Sequence, residues 1–343
     1  MKAVVFRAPG MPLSVEECPD PTPGSSEAVL KVARCGICGT DLHMTGGHEG
    51  SYSAGMIIGH EYAGEVVALG SGVTTLKVGD LVTSLPVRGC GQCGPCIAGD
   101  PMRCTGPEKQ SASRGFAQYV LVNQRSTVRL PVDVSLADAA LTEPFSCGLR
   151  GASRAGIVPG ATVLVVGVGA IGLAAIFWAR RMGAGKIVAT ARTDRAASFA
   201  QMLGATHFIR SNDQFDGELI EALGGPPDIV MECSGARGMI DRSVHWAKPG
   251  GRVVVLGFCT DHDSFVPATA LLKETEFHFV NTYTRQQFTH CLDTFGRESI
   301  DFQNLFAPPV SFDEFPTVFE QLRTKNSHLK FMLDPWLERG EAR

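Results

Sequence analysis

Four cysteines are the first residues here whose spacing implies chemistry. Cys90, Cys93, Cys96 and Cys104 stand in GCGQCGPCIAGDPMRC, with two, two and seven residues between them. The glycines among them let the chain wrap until four sulfurs converge, as closed tetrahedral zinc requires. Two other uses of clustered cysteines compete. A nucleic-acid-binding ribbon separates its pairs by about 15–20 residues, and a formal net charge of −4 offers a phosphate backbone no attraction. Iron–sulfur ligation stays open on spacing alone.

A second set is dispersed: Cys38 in GICGTDLH, His60 and Glu61 in IIGHEYAGEV, and Glu143 in ALTEPF. Singly, each is ordinary, since a lone cysteine is usually a small buried hydrophobe and a lone histidine a hydrogen-bonded structural group. Together they offer one thiolate, one imidazole and two carboxylates. That mixed set suits a catalytic zinc, which keeps a coordination position for water or substrate.

These side chains need elements to hold them, and the chain changes texture twice. Residues 1–147 read as short β segments punctuated by glycine and proline, among them KAVVF, AVLKVARC, YAGEVVALG, DLVTSL and FAQYVLV. This predicts a small irregular β barrel or partly open sheet. Residues 148–289 alternate strand and helix. The strands read ATVLVV, KIVAT, THFI, DIVMEC, RVVVLG and EFHFVN, with helices over 170–182, 195–203, 218–223 and 237–247. Such alternation predicts an α/β fold with a doubly wound parallel sheet. Residues 290–343 return to mixed character, with a helix over 313–323 and a last strand LKFML, so the α/β domain is inserted into a domain built from both chain ends.

The inserted domain opens on VLVVGVGAIG, where Gly167, Gly169 and Gly172 follow a buried strand at G-x-G-x-x-G spacing and Ala170 and Ile171 begin a helix. The first glycine permits the tight turn, the second lets backbone approach a pyrophosphate, and the third lets helix pack on strand. The helix N-terminus faces the phosphates with free N–H groups. Cofactor choice follows from the second strand, which in an NAD site ends in an acid about 20 residues on that bonds the adenosine ribose. In KIVATARTDR that position is Ala191. A carboxylate there would repel a 2′-phosphate; alanine makes room for one, and Arg192 and Arg195 offer charge-assisted bonds. The expected cofactor is therefore NADP. NAD stays as the alternative, because a small shift of the turn brings Asp194 to the ribose.

Eleven cysteines, an odd number, argue against a disulfide framework. The N-terminus meets Pro9-Gly10 too early for a signal-peptide core, and no apolar stretch approaches the roughly 20 residues of a membrane span. A cytoplasmic protein with no membrane and no nucleic-acid partner is expected. The last strand of the inserted domain, FHFVN, is apolar enough that an exposed edge there invites pairing with a second copy, so a homodimer or homotetramer is expected.

The ordered set GICGTDLH, GHEYAGEV, the four-cysteine lobe, TEP and VGVGAIG resembles the zinc-dependent medium-chain dehydrogenases, and within them the sorbitol, polyol and threonine dehydrogenase branch. The resemblance runs from the first strand to LKFML. It implies a Rossmann sheet inserted into an irregular, β-rich, GroES-like catalytic domain, and two zinc ions per chain, one held by the four-cysteine lobe. It implies that Cys38 and His60 ligate catalytic zinc, that Glu61 and Glu143 bind it directly or through water, and that Asp41 orients His60. Which glutamate is bound at rest stays open. It further implies that Thr40 and His43 pass the substrate proton to solvent, and that Lys330 contacts cofactor phosphate. Gly39 departs from the liver-type enzymes, which carry an arginine there for the pyrophosphate.

The implied reaction is reversible hydride transfer between a nicotinamide and the carbinol carbon of a small-molecule secondary alcohol or polyol, giving a ketone, with zinc as Lewis acid. Substrate is expected between the domains, with Met44, Phe116 and Phe258 as apolar lining. A threonine-type amino alcohol is the alternative substrate. Two other readings compete: a non-enzymatic dinucleotide-binding redox sensor with structural zinc, and a zinc-free quinone reductase. Both predict loss of the mixed metal ligands, which this sequence keeps.

Overall fold

A computed structural model describes the chain except residues 48–50, 108, 109, 112, 113, 299, 301, 303, 304, 306, 325–328 and 339–343. It divides into two compact units, Met1–Glu143 with Thr284–Arg343, and Pro144–Tyr283. The divisions fall a few residues before 147/148 and 289/290. The first lies inside the continuous helix Thr142–Ala155, and the second coincides with Thr284, the N-cap of helix Arg285–Arg297.

The first unit is built on the long strand Glu27–Gly36, whose alternating apolar residues face a buried core. It pairs antiparallel with Glu61–Leu69, with Tyr119–Asn123 and with Met332–Leu333. Register shifts at Val29/Leu30 and Val32/Arg34 are bulges, which bend and twist the sheet. The strand Met332–Leu333 delivers the end of the chain to Cys35 and Gly36, so residues far apart in sequence meet beside Cys38.

The second unit is a six-stranded parallel sheet. In chain order its strands are Thr162–Val166, Lys186–Ala191, His207–Arg210, Ile229–Glu232, Arg252–Val255 and Glu276–Phe279. They lie in the spatial order 3-2-1-4-5-6, the doubly wound order whose switch point falls beside the first strand. Their runs of Val, Ile and Leu are buried on both faces, as crossover helices require. The helices are Ala170–Arg181, Ala197–Met202 preceded by a 3-10 turn Asp194–Ala196, Phe215–Leu223 and Met239–Trp246.

The periodicity reading did not mark the helices Gly39–Met44, Gly94–Ile97, Leu136–Ala140, Thr142–Ala155, Pro267–Leu272 and Arg285–Arg297. The last carried a signal: Thr284 and Gln287 form a reciprocal capping box, the T-x-x-Q pattern of a helix start. No described helix is long and apolar enough to cross a membrane.

Candidate active site

The catalytic-site residues are set by one short helix and the strands around it. Cys38 is the extended N-cap of helix Gly39–Met44, its sulfur accepting from the Thr40 N–H at 3.4 Å. Asp41 closes the box by accepting from the Cys38 N–H at 3.1 Å. This carboxylate is fully buried, and its other oxygen lies 3.3 Å from His60 Nδ1. Tyr52 donates to that same oxygen at 3.3 Å. Burial, then the Asp41 charge, push the Tyr52 phenol up, which keeps it a donor. With Nδ1 engaged, Nε2 is the nitrogen His60 presents to a metal, the usual arrangement of a carboxylate behind a ligand histidine.

Cys38, His60 and Glu61 bring one ligand atom each within 4.8 Å of one another. Their surroundings favour a cation. Burial alone would push the His60 imidazolium down, but the Asp41 and Cys38 charges offset this and hold it well above its ordinary value. Among the described residues Glu61 Oε1 is buried without a hydrogen-bond partner, a costly state for a carboxylate oxygen unless something outside the protein occupies it. The donor set of sulfur, nitrogen and oxygen fits zinc. Glu143 is 92% buried at the start of helix Thr142–Ala155, being only 8% exposed. It lies outside the 4.8 Å group, yet its charge acts on Lys330.

Lys330 corrects an expectation. Rather than meeting a cofactor phosphate, its Nζ is buried within the first unit, donating to the Ile37 carbonyl at 2.9 Å and pairing with Glu61. Burial would lower the lysine, but Glu61 prevails and raises it. Space for the pair comes from Gly36, where a Cβ would lie 2.2 Å from Glu61 Oε2 and 2.8 Å from Lys330 Cε.

Phe116 is corrected too. Far from lining a substrate path, it is fully buried against Phe315, ring centroids 4.7 Å apart. It also packs on Gly59, whose φ of +94° turns the chain into His60 and whose Cβ would meet the ring at 2.7 Å. Phe258 is 45% exposed in the second unit, and Met44 is half-buried.

Thr40 and His43 are three residues apart on the Cys38 helix, and so on one face of it. The structure adds a residue that the motifs did not indicate. Arg323 donates to the Leu42 carbonyl and to Thr45 Oγ1, both at 2.7 Å. It thereby satisfies the C-terminal end of that helix, a favourable place for a cation.

The four-cysteine lobe converges as its spacing predicted: Cys90, Cys93, Cys96 and Cys104 also fall within 4.8 Å of one another. The Cys90 N–H donates to Cys104 Sγ at 3.3 Å and the Cys93 N–H to Cys90 Sγ at 3.4 Å. Cys93 and Cys104 sulfurs are 3.8 Å apart, nearly twice a disulfide length. Backbone donors, first at Thr105, push the Cys93 thiol down to about 5, while burial first pushes Cys96 up to about 12. Such divergence is expected where crowded thiols cannot all ionise without a cation. The sulfurs fit a metal with no remaining position.

In the second unit, Gly167 leaves the first strand at φ +87°, and a Cβ on Gly172 would meet the Gly167 carbonyl oxygen at 1.9 Å. Gly169 caps helix Ala170–Arg181, and around its absent Cβ there is no atom within 4 Å. Packing therefore does not demand glycine there. Open space at a helix N-terminus fits an approaching pyrophosphate. Beside Gly167, Thr190 Oγ1 is buried without a partner among the described residues. Ala191 ends the second strand, Arg192 is exposed, and burial lowers Arg195 in the following 3-10 turn.

Comparison with known proteins gives the same result from both units. Residues 24–132 match the alcohol dehydrogenase GroES-like domain and residues 170–297 the zinc-binding dehydrogenase family. The chain is 30% identical over 339 residues to a sorbitol dehydrogenase of Bacillus subtilis strain 168, covering 94% of each. A zinc-binding dehydrogenase of Sinorhizobium meliloti 1021, solved with NADP, superposes with a TM-score of 0.85 at 29% identity, covering 97% of this chain and 99% of that one. An alcohol dehydrogenase of Escherichia coli CFT073, solved with NADH, gives 0.86 at 26%, with the same coverage. With this ligand set, this glycine turn and relatives matched end to end, the chain belongs to the zinc-dependent medium-chain alcohol dehydrogenase family.

Proposed function

We propose that this protein is a zinc-dependent oxidoreductase that interconverts a secondary alcohol or polyol and the corresponding ketone, with NADP preferred over NAD. The observation that carries this reading is the convergence of Cys38, His60 and Glu61 at the start of the helix that carries Thr40 and His43. Bound zinc would supply Lewis acidity toward the substrate oxygen, and a bound nicotinamide would supply the hydride acceptor. The protein's own part begins with Asp41, which holds His60 in one ring orientation. Thr40 accepts the proton of the substrate hydroxyl and donates its own to His43, and the exposed His43 ring releases it to water. Hydride and proton leave the same alcohol, so the carbonyl product balances.

Thr40→Val is expected to keep cofactor affinity and lower turnover by about 100-fold, the lower range for loss of a proton-transfer group. His43→Gln should do so more mildly, with partial rescue by added imidazole. Unchanged turnover in both variants would remove the relay.

The NADP preference rests on Ala191, Arg192 and Arg195. Wild-type protein should show higher kcat/KM with NADP than with NAD, and Arg192→Ala should erase most of that ratio. Preference for NAD, or NADP use indifferent to Arg192, would overturn it. A panel of polyols, amino alcohols and secondary alcohols run with both cofactors identifies the substrate.

Assembly as a homodimer or homotetramer is part of the proposal. Glu276–Phe279 is an edge strand of the parallel sheet, and Phe279 on it is 69% exposed, with Leu271 and Leu272 on the preceding helix 75% and 81% exposed. An unpaired apolar edge favours addition of another chain. Light scattering should report a multiple of 36.6 kDa; a monomer at micromolar concentration would refute this.

A further inference from the structure

Arg210 was not among the residues that the glycine turn and second strand single out, yet the parallel register pairs it with Ala191. That is the position where an acid would receive the ribose of NAD. Adjacent strands run about 4.8 Å apart, so the third strand ends in a guanidinium beside the gap left by the missing carboxylate. Arg210 Nε donates to the Arg192 carbonyl at 3.1 Å, tying the two chain segments together. This uses one of its five donors.

Arg192 and Arg210 are both exposed, and among the described residues neither guanidinium forms an ion pair, although Asp194 and Asp213 lie in the same two segments. Like charges held together and left without a counter-ion repel one another. A dianion relieves that repulsion and accepts charge-assisted hydrogen bonds from terminal nitrogens on two strands.

We infer that Arg210 is a third specificity-determining residue for the cofactor, receiving the 2′-phosphate of NADP together with Arg192 and fixing the Arg192 backbone through its Nε. This inference rests on the NADP reading above, and its test separates the two.

Adenosine 2′,5′-bisphosphate and 5′-AMP report on the adenosine end alone, so titration calorimetry with each is independent of zinc and turnover. Wild-type protein is expected to bind the bisphosphate at least about tenfold more tightly. Arg210→Ala should lose most of that advantage while its affinity for 5′-AMP stays within about twofold. Arg210→Lys, which keeps the charge but lacks Nε, should fall between. The advantage should shrink as salt is raised. Wild-type protein indifferent to the 2′-phosphate would overturn the NADP reading and this inference with it. Discrimination that survives in Arg210→Ala, or an equal loss for both nucleotides, would overturn the role of Arg210 and leave the NADP reading standing.

Discussion

Cys93→Ser protein is expected to carry one zinc ion per chain instead of two, and to lose the fold of the lobe from Cys90 to Cys104. Within that span only Pro101 and Cys104 are buried, and Ile97 is 75% exposed, so the lobe has almost no apolar core. Bonds to a metal would supply the stability that such a core does not. Gly106 shows how closely the sulfurs are enclosed, since a Cβ there would lie 2.6 Å from Cys90 Sγ. Structural zinc contributes on the order of 10 kcal/mol to small modules that cannot fold without it. Serine offers no thiolate to replace the lost ligand. Elemental analysis should show the fall in stoichiometry, and limited proteolysis should cut within the lobe while the rest of the chain stays protected. Glu143→Ala is the contrasting variant: it should leave the lobe intact and lower turnover or catalytic-site zinc. Active wild-type protein with one zinc or none would refute the assignment.

Most of the inserted domain was legible because its signals are local. Four of the six strands are short runs rich in Val and Ile, and the glycine turn follows the first at the spacing a phosphate-facing helix needs. The four-cysteine lobe was legible for the same reason, its ligands lying within fifteen residues of one another. Long-range pairings were the part that stayed hidden. Nothing near Lys330 shows that the strand Met332–Leu333 lies against Gly36, or that Gly36 opposes Glu61, and without those registers the lysine reads as a solvent or phosphate contact. Arg210 is the same case on a smaller scale, since its nearness to Ala191 is a property of strand pairing. Phe116 read as apolar lining because an aromatic side chain serves a core and a pocket alike; its partner Phe315 lies far along the chain in the C-terminal segment.

The charged pair behind the metal ligands carries the second large effect. Glu61 and Lys330 side chains are 1% and 3% exposed, so solvent screens neither, and each is the other's compensating charge. Pairs of this kind contribute little net stability, because desolvation offsets most of their attraction, but removing one partner leaves a bare charge and costs about 3–5 kcal/mol. In zinc-free protein, Lys330→Met is therefore expected to lower unfolding stability by about 3–5 kcal/mol, read as a shift in denaturant midpoint at unchanged slope. Glu61→Gln should also destabilise, by stranding the lysine. The double variant should recover much of either loss, since no buried charge remains, and the cycle of four proteins isolates the pair energy. Catalytic zinc adds a second outcome. In Lys330→Met the freed Glu61 carboxylate turns to the cation beside Cys38 and His60, so zinc should leave that site more slowly than in wild type while turnover falls. A Lys330→Met protein with wild-type stability and wild-type zinc release would show that Lys330 is not the residue that holds Glu61.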